Sequence, residues 1–118
     1  SSGWYLPSIG QWWDIFENLG EAKGLTALKD NETTSSNIAI SLSGESVFEN
    51  LNTCLKAASS SVDEFESSKN YWSSSEHNRN NKGLVYAHSV SLTATSLTTT
   101  GATKTSNSNR RVRCVLSF

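Results

Sequence analysis

The chain has 118 residues, with 10 Lys and Arg against 11 Asp and Glu, and a formal net charge of −1. This length suits a single domain, residues 1–118, with its own hydrophobic core. No basic cluster is longer than Arg110-Arg111, so the basic stripe that normally binds a nucleic-acid backbone is missing. No apolar run approaches the roughly 20 residues that cross a bilayer, which argues against direct membrane insertion.

The abundance of Ser, Thr and Asn, with few charged residues, is common in secreted and surface proteins. No signal peptide is present, and Ser1-Ser2-Gly3 looks like a truncated start. We therefore expect the chain to be the C-terminal part of a longer protein, whose export signal would lie in the missing region.

The first elements are a short strand and a helix. Trp4-Tyr5-Leu6 predicts a strand that Pro7 ends, and Ser8 with Gln11 has the spacing of a capping box. Apolar residues then recur at helical spacing, and Gly20 ends the run as a C-terminal cap would. These residues are Ile9, Trp12, Trp13, Phe16 and Leu19.

Residues 21–42 predict a loop followed by a short strand, because Ile38, Ile40 and Leu42 alternate. Ser43 can cap a second helix, with Glu45 in its first turn. The apolar face of that helix comprises Val47, Phe48, Leu51, Cys54, Leu55 and Ala58. Residues 59–68 form a polar connector tethered by Val62 and Phe65.

In the second half the apolar period approaches two. Tyr71-Trp72 begins one strand, Val85–Leu92 forms another, and a Thr-rich segment around Leu97 favours an exposed strand. Gly101 predicts a turn. The chain ends in a strand with one well-buried face made by Val112, Cys114, Leu116 and Phe118, and the N-terminal strand is its natural partner. The order predicts an α+β domain with early helices and a late antiparallel sheet.

Catalytic chemistry has little support in the sequence. The two histidines, His77 and His88, have no acid placed to orient either of them as a base. Cys54 and Cys114 lack CxxC spacing, and they suit either a disulfide or two buried reduced thiols. We expect no enzyme activity and no cofactor.

Four ordered motifs resemble one bacterial family. They are Gly3–Ser8 (GWYLPS), Trp12-Trp13, Tyr71–Glu76 (YWSSSE) and Arg111–Val115 (RVRCV). The chain is similar along nearly its whole length to the major-paralogous, Lcl-C-terminal-like group of C-type-lectin-fold domains. The resemblance implies paired terminal strands, helices packed on the sheet, and a ligand met by late loops and strands.

Within that group the chain resembles variable proteins of diversity-generating retroelements from gut bacteria and their phages. Adenine-directed mutagenesis turns their Asn codons into codons for Ser, Thr, His, Arg and Tyr, and residues 77–109 contain these residue types. The segment is Thr-rich rather than Asn-rich, which suits a diversified copy and an ordinary exposed strand equally. The resemblance implies an extracellular, cell-surface or phage-particle location.

The contact surface predicted for a protein or glycan ligand runs from His77 to about Thr105. Tyr and Arg would supply anchors and the smaller side chains adaptable hydrogen bonds, as in antibody loops. Its members are His77, Asn78, Arg79, Asn80, Asn81, Tyr86, His88, Ser89, Ser91, Thr93, Ser96, Thr98, Thr99 and Thr100.

The motif aromatics are assigned to the scaffold. Trp4, Trp12, Trp13, Tyr71 and Trp72 could stack on sugars, but their spacing favours core packing, with Trp13 the one expected to be partly exposed. Glu76 is expected to anchor loop amides, since it is a lone carboxylate without the residues of a lectin calcium site, and no metal is predicted. Arg111 and Arg113 are expected to be solvated or to form salt bridges.

The sequence thus predicts a non-catalytic binding domain with a variable surface. One alternative is a constant surface or adhesin module of the same family. The other is an enzyme of a related fold, which would place His77, His88 or a cysteine in a deep pocket.

Overall fold

We describe a computed structural model of the chain over residues 3–25, 37–42, 44–77, 85–105 and 110–117. It is α+β, as predicted, with two helices and two sheets among the described residues. The elements are β1 (Gly3–Tyr5), α1 (Ile9–Asn18), β2 (Ile38–Ser41), α2 (Val47–Ala58), β3 (Asn70–Glu76), β4 (Tyr86–Leu92), β5 (Ser96–Thr103), β6 (Arg110–Arg111) and β7 (Val115–Ser117).

The larger sheet has five strands in the order β2-β5-β4-β3-β6. Neighbouring strands are antiparallel except β3 and β6, which are parallel. The smaller sheet pairs β1 with β7, Trp4 lying opposite Leu116, so the predicted pairing of the two terminal strands is confirmed. We call this two-stranded sheet the terminal ribbon.

Helix α1 begins as its sequence predicts. The Ser8 hydroxyl accepts a hydrogen bond from the Gln11 amide (3.2 Å), and the Gln11 side chain accepts one from the Ser8 amide (2.8 Å). This is the reciprocal capping box. The prediction that Trp13 is partly exposed is wrong: Trp13 is 1% exposed and packs on Phe16, because it lies on the buried face of the helix.

Helix α2 begins later than predicted. Its N-cap is Ser46, which makes no side-chain cap bond, and the predicted cap, Ser43, lies outside the described residues. The Glu45 carboxylate accepts from the Lys23 amide instead of sitting in the first turn (3.0 Å). The connector after α2 is tethered by Phe65, as predicted, since the buried Asn52 side chain bonds both the amide and the carbonyl of Phe65 (2.7 and 3.1 Å).

The core lies between the helices and one face of the large sheet. Trp12 is fully buried at its centre, 5.5 Å from Phe16 and 5.8 Å from Phe65 between ring centroids. Its indole N–H donates to the Trp72 carbonyl, which joins α1 to β3. The remaining buried apolar residues are Ile9, Trp13, Ala22, Leu25, Leu42, Val47, Leu51, Tyr71, Val90, Leu92 and Leu97.

The well-buried face predicted for the last strand is not observed. Val112 is 62% exposed, Leu116 is 41% exposed and Cys114 is exposed, while Phe118 lies outside the described residues. The Trp4 side chain, expected in the core, is 72% exposed. The reason is topological: β7 pairs with β1 alone, and the ribbon lies outside the five-stranded sheet whose face the helices cover.

The two cysteines are free thiols in the structure. Cys54 is half-buried on α2, where its thiol lies 3.6 Å from the Leu19 carbonyl oxygen. The reduced alternative therefore holds, although Cys114 is exposed rather than buried.

Candidate ligand-binding surface

Strand register divides the large sheet into two chemically different faces. Residues paired across neighbouring strands share a face, and successive residues alternate between faces. Val90 lies opposite Tyr71 and Thr99, and Leu92 lies opposite Leu97, so these residues face the helices. The opposite face, which we call the polar face, carries Ala39, Ser41, Asn70, Trp72, Glu76, Ala87, Ser89, Ser91, Ser96, Thr98, Thr100, Ala102 and, at its edge, Arg110.

The polar face gathers four predicted contact residues in a compact group. Ser91 lies opposite Thr98, Thr100 lies opposite Ser89, and Ser96 lies one position beyond on the same side. Ser91, Ser96, Thr98 and Thr100 are each partly exposed. The Ser96 hydroxyl lies 3.0 Å from that of Thr93, and the Thr100 hydroxyl lies 3.2 Å from that of Ser89. These four residues are the part of the predicted surface that the fold brings together.

Four other predicted contact residues are buried, which corrects the surface prediction. His77 is 1% exposed, His88 2%, Ser89 0% and Thr99 1%. His88 and Thr99 lie on the helix side of the sheet, and the Thr99 hydroxyl accepts from the Ile38 amide (3.0 Å). Ser89 belongs to the polar face, but its hydroxyl lies 3.2 Å from that of Thr100. These side chains support the sheet and do not contribute to an exposed surface.

The two histidines form a packed pair, with ring centroids 4.5 Å apart. The His77 Nε2 atom lies 3.2 Å from the Asn37 amide oxygen, which also accepts from the Gly101 amide (3.2 Å). Gly101 is inside β5 opposite His88, so the predicted turn is wrong. A Cβ at Gly101 would stand 2.5 Å from Cγ of His77, so this contact requires glycine.

Two further predicted contact residues, Thr93 and Tyr86, have other surroundings. The Thr93 hydroxyl bonds the amides of Thr95 and Ser96 and closes the β4–β5 hairpin, so its role is local structure. Tyr86 is half-buried and shares the His88 side of the sheet. The predicted contacts Asn78, Arg79, Asn80 and Asn81 lie outside the described residues.

The edge of the polar face carries an aromatic and a cation that the predicted surface did not include. Trp72 is half-buried, and the Arg110 guanidinium carbon lies 5.3 Å from its ring centroid. Arg110 reaches this place because β6 runs parallel to β3, with Arg110 opposite Asn70. A two-residue parallel strand has no periodicity from which its neighbour could be predicted.

Glu76 and the two terminal arginines have structural contacts. The Glu76 carboxylate pairs with the Lys104 ammonium (3.0 Å), and the amides of residues 78–84, which it was predicted to anchor, lie outside the described residues. Arg111 pairs with Glu66 (2.8 Å), while Arg113 donates to the Asp63 carbonyl (2.7 Å), which supports their predicted structural role. These contacts hold residues 110–113 against the connector.

A cleft lies beside the terminal ribbon. It has a volume of about 990 Å³, with walls that include Trp4, Val112, Cys114 and Tyr71. Two ion pairs line it, Arg111 with Glu66 and Lys56 with Glu64. Neither histidine lines this cleft, and the described residues contain no group of three His, Cys, Asp or Glu side chains that could hold a metal ion.

Neither described helix is long and apolar enough to cross a membrane. Comparison with protein-family models, with curated proteins and with solved structures found no match to the chain.

Proposed function

We propose that this chain is a non-catalytic ligand-binding domain whose polar face contacts a protein or glycan on another surface. The observation that carries the proposal is the division of the large sheet. One face is sealed by a packed aromatic core, and the other presents the half-buried hydroxyls of Ser91, Ser96, Thr98 and Thr100.

The mechanism is preorganisation. Strand β5 is paired on both sides, with β2 and β4, and β4 is paired with β3 and β5. Backbone hydrogen bonds and the opposite, apolar face therefore fix the sheet, so side chains of the polar face can change without loss of the fold. A fixed backbone also lowers the entropy cost of binding.

The C-type lectin fold belongs to the same proposal. It is supported by the GWYLPS, YWSSSE and RVRCV motifs, by the pairing of β1 with β7 and by helices on one side of the sheet. The polar face would then be the part that a retroelement diversifies, and the domain would act outside the cell or on a phage particle. A near-identical template repeat beside a reverse transcriptase gene is the expected genomic finding, and its absence would leave the constant surface or adhesin module.

Binding is tested by placing lysines on the polar face. We expect the triple variant Ser91→Lys, Thr98→Lys, Thr100→Lys to lose ligands selected from a glycan array or a displayed protein library. The matched control places three lysines on the exposed side of α2, at Thr53, Ala57 and Ala58. Circular dichroism verifies that both variants fold.

The proposal predicts at least a tenfold loss of affinity in the first variant and less than a twofold change in the control. Equal binding by the first variant and the unmodified chain would mean that the polar face is not the contact surface.

A further inference from the structure

The pairing of β3 with β4 is interrupted beside Trp72. Regular pairing reaches Trp72 opposite Ser89 and resumes with Glu76 opposite Ala87, so β3 advances four residues while β4 advances two. The two extra residues form a bulge, a feature that bends a strand and redirects its side chains. The bulge borders a cavity of about 270 Å³ at the edge of the polar face.

The lining of this cavity combines apolar surface with hydrogen-bonding groups. Trp72, Leu6 and Ala87 supply the apolar part, and Ser73, Ser74 and Lys104 supply the polar part. The Ser73 hydroxyl is already committed, because it donates to the His88 carbonyl (2.9 Å). Ser74 is exposed and lines the cavity.

The charges beside the cavity are balanced. Lys104 lies 3.0 Å from the Glu76 carboxylate, and both side chains are about half exposed. Together they offer ammonium donors and carboxylate acceptors without a net charge. Such a rim suits a neutral ligand that both donates and accepts hydrogen bonds.

The wider polar face lacks the anchors of a protein interface. Protein hot spots are enriched in Trp, Tyr and Arg, whereas Ser and Ala are depleted at interfaces. Among the described residues of the polar face, Trp72 is the one aromatic, and it lies at the cavity. Arg110 and Glu76 lie at the same edge as Trp72, and the other described side chains of the face are hydroxyls, the Asn70 amide and methyl groups, which match a ligand rich in hydroxyls better than an apolar protein surface.

We infer that this bulge cavity is a subsite for one neutral, pyranose-sized saccharide unit, with further units extending over Ser91, Thr98 and Thr100. A sugar ring presents an apolar C–H face to an aromatic and hydroxyls to its rim, which is the combination found here. The cavity is slightly smaller than the roughly 300–1,000 Å³ of sites for drug-sized ligands, so it admits one ring. This inference rests on the proposed function and names its ligand class.

The test uses the whole chain on a glycan array, followed by titration of the strongest neutral oligosaccharide. Ala87→Leu fills the cavity, and Ala57→Leu is the matched control, at an exposed position of α2 away from the polar face. Ser74→Tyr blocks the cavity from an exposed position and serves if Ala87→Leu fails to fold. We expect at least a tenfold loss of affinity for a cavity variant and less than twofold for Ala57→Leu.

Two results would overturn the saccharide subsite. One is the absence of any neutral glycan that binds; the other is unchanged glycan affinity in a folded cavity variant. If a displayed protein binds the chain instead, and the triple lysine variant does not bind that protein, the saccharide subsite is refuted but the proposed function stands. If the triple lysine variant binds every ligand as the unmodified chain does, the proposed function is refuted as well.

Discussion

The contact between Gly101 and His77 gives a sharp test of the sheet geometry. The perturbation is Gly101→Ala, which adds one methyl group. The ideal Cβ would lie 2.5 Å from Cγ, 2.6 Å from Cδ2 and 2.7 Å from Nδ1 of His77. These atoms belong to the base of a ring that is 1% exposed and packed on His88, so the ring has little room to move.

Two effects set the magnitude. Overpacking a core by one methyl group costs about 1–3 kcal/mol. Alanine in a strand regains about 0.5–1 kcal/mol over glycine, because the unfolded chain has less freedom to lose. The net expected loss is therefore about 0–2.5 kcal/mol with a central value of about 1 kcal/mol, which for a domain of this size lowers Tm by about 4 °C.

The assay is urea unfolding followed by circular dichroism, with Gly3→Ala as the control, since a Cβ at Gly3 would meet no atom within 4 Å. A double-mutant cycle with His77→Ala isolates the contact. We expect Gly101→Ala to cost at least 1 kcal/mol less in that background than in the unmodified chain. Equal costs in both backgrounds, or no loss in either, would refute the reasoning.

Three further predictions concern the scaffold. Trp12→Ala should lower the free energy of unfolding by about 3–5 kcal/mol, because the indole is fully buried. Trp4→Ala should change it by less than about 0.5 kcal/mol in the same urea titration, because Trp4 is exposed. Similar losses in both variants would contradict the assigned core. Asn52→Leu should cost about 2–4 kcal/mol, since it leaves the amide and carbonyl of Phe65 without their buried partner. Thermal melting measures the loss, and a loss below about 1 kcal/mol would contradict the role of these two bonds. Thr93→Val should cost about 1 kcal/mol, because the hydroxyl that bonds the hairpin amides is removed while the shape is kept; a stability equal to that of the unmodified chain would exclude a structural role for that hydroxyl.

Local interactions were predictable because their rules act within a few residues. The capping box of Ser8 and Gln11 needs a three-residue spacing, and the buried face of α1 follows from the helical period. Val90 and Leu92 indicate the apolar side of β4 by alternation. The exposed strand predicted around Leu97 is wrong: Leu97 is fully buried, because β5 lies between β2 and β4 with one face against the core. The class of fold and the pairing of the terminal strands followed from the same patterns and from the motifs.

The candidate surface was only partly predictable, because polar side chains carry no mark of the face they occupy. His88 and Ser91 look equally suited to a surface in the sequence, yet pairing puts His88 on the helix side and Ser91 on the polar face. The parallel contact that brings Arg110 to Trp72 joins segments far apart in the chain. No local pattern encodes such a contact.

The sequence by itself determined the two helices, most of the strands and the buried apolar face of α1, since helical periodicity and burial are linked directly. Only the tertiary structure decided which side chains of the Ser- and Thr-rich strands are buried and which are exposed. Strand register, the β3 bulge and the position of β6 all depend on contacts between distant segments. It buried His77 and His88 beneath the sheet, left Trp4 and Val112 exposed on a ribbon outside it, and opened the cavity beside Trp72. The physical reason is that alternation states which residues share a face, whereas packing against another element decides which face meets water.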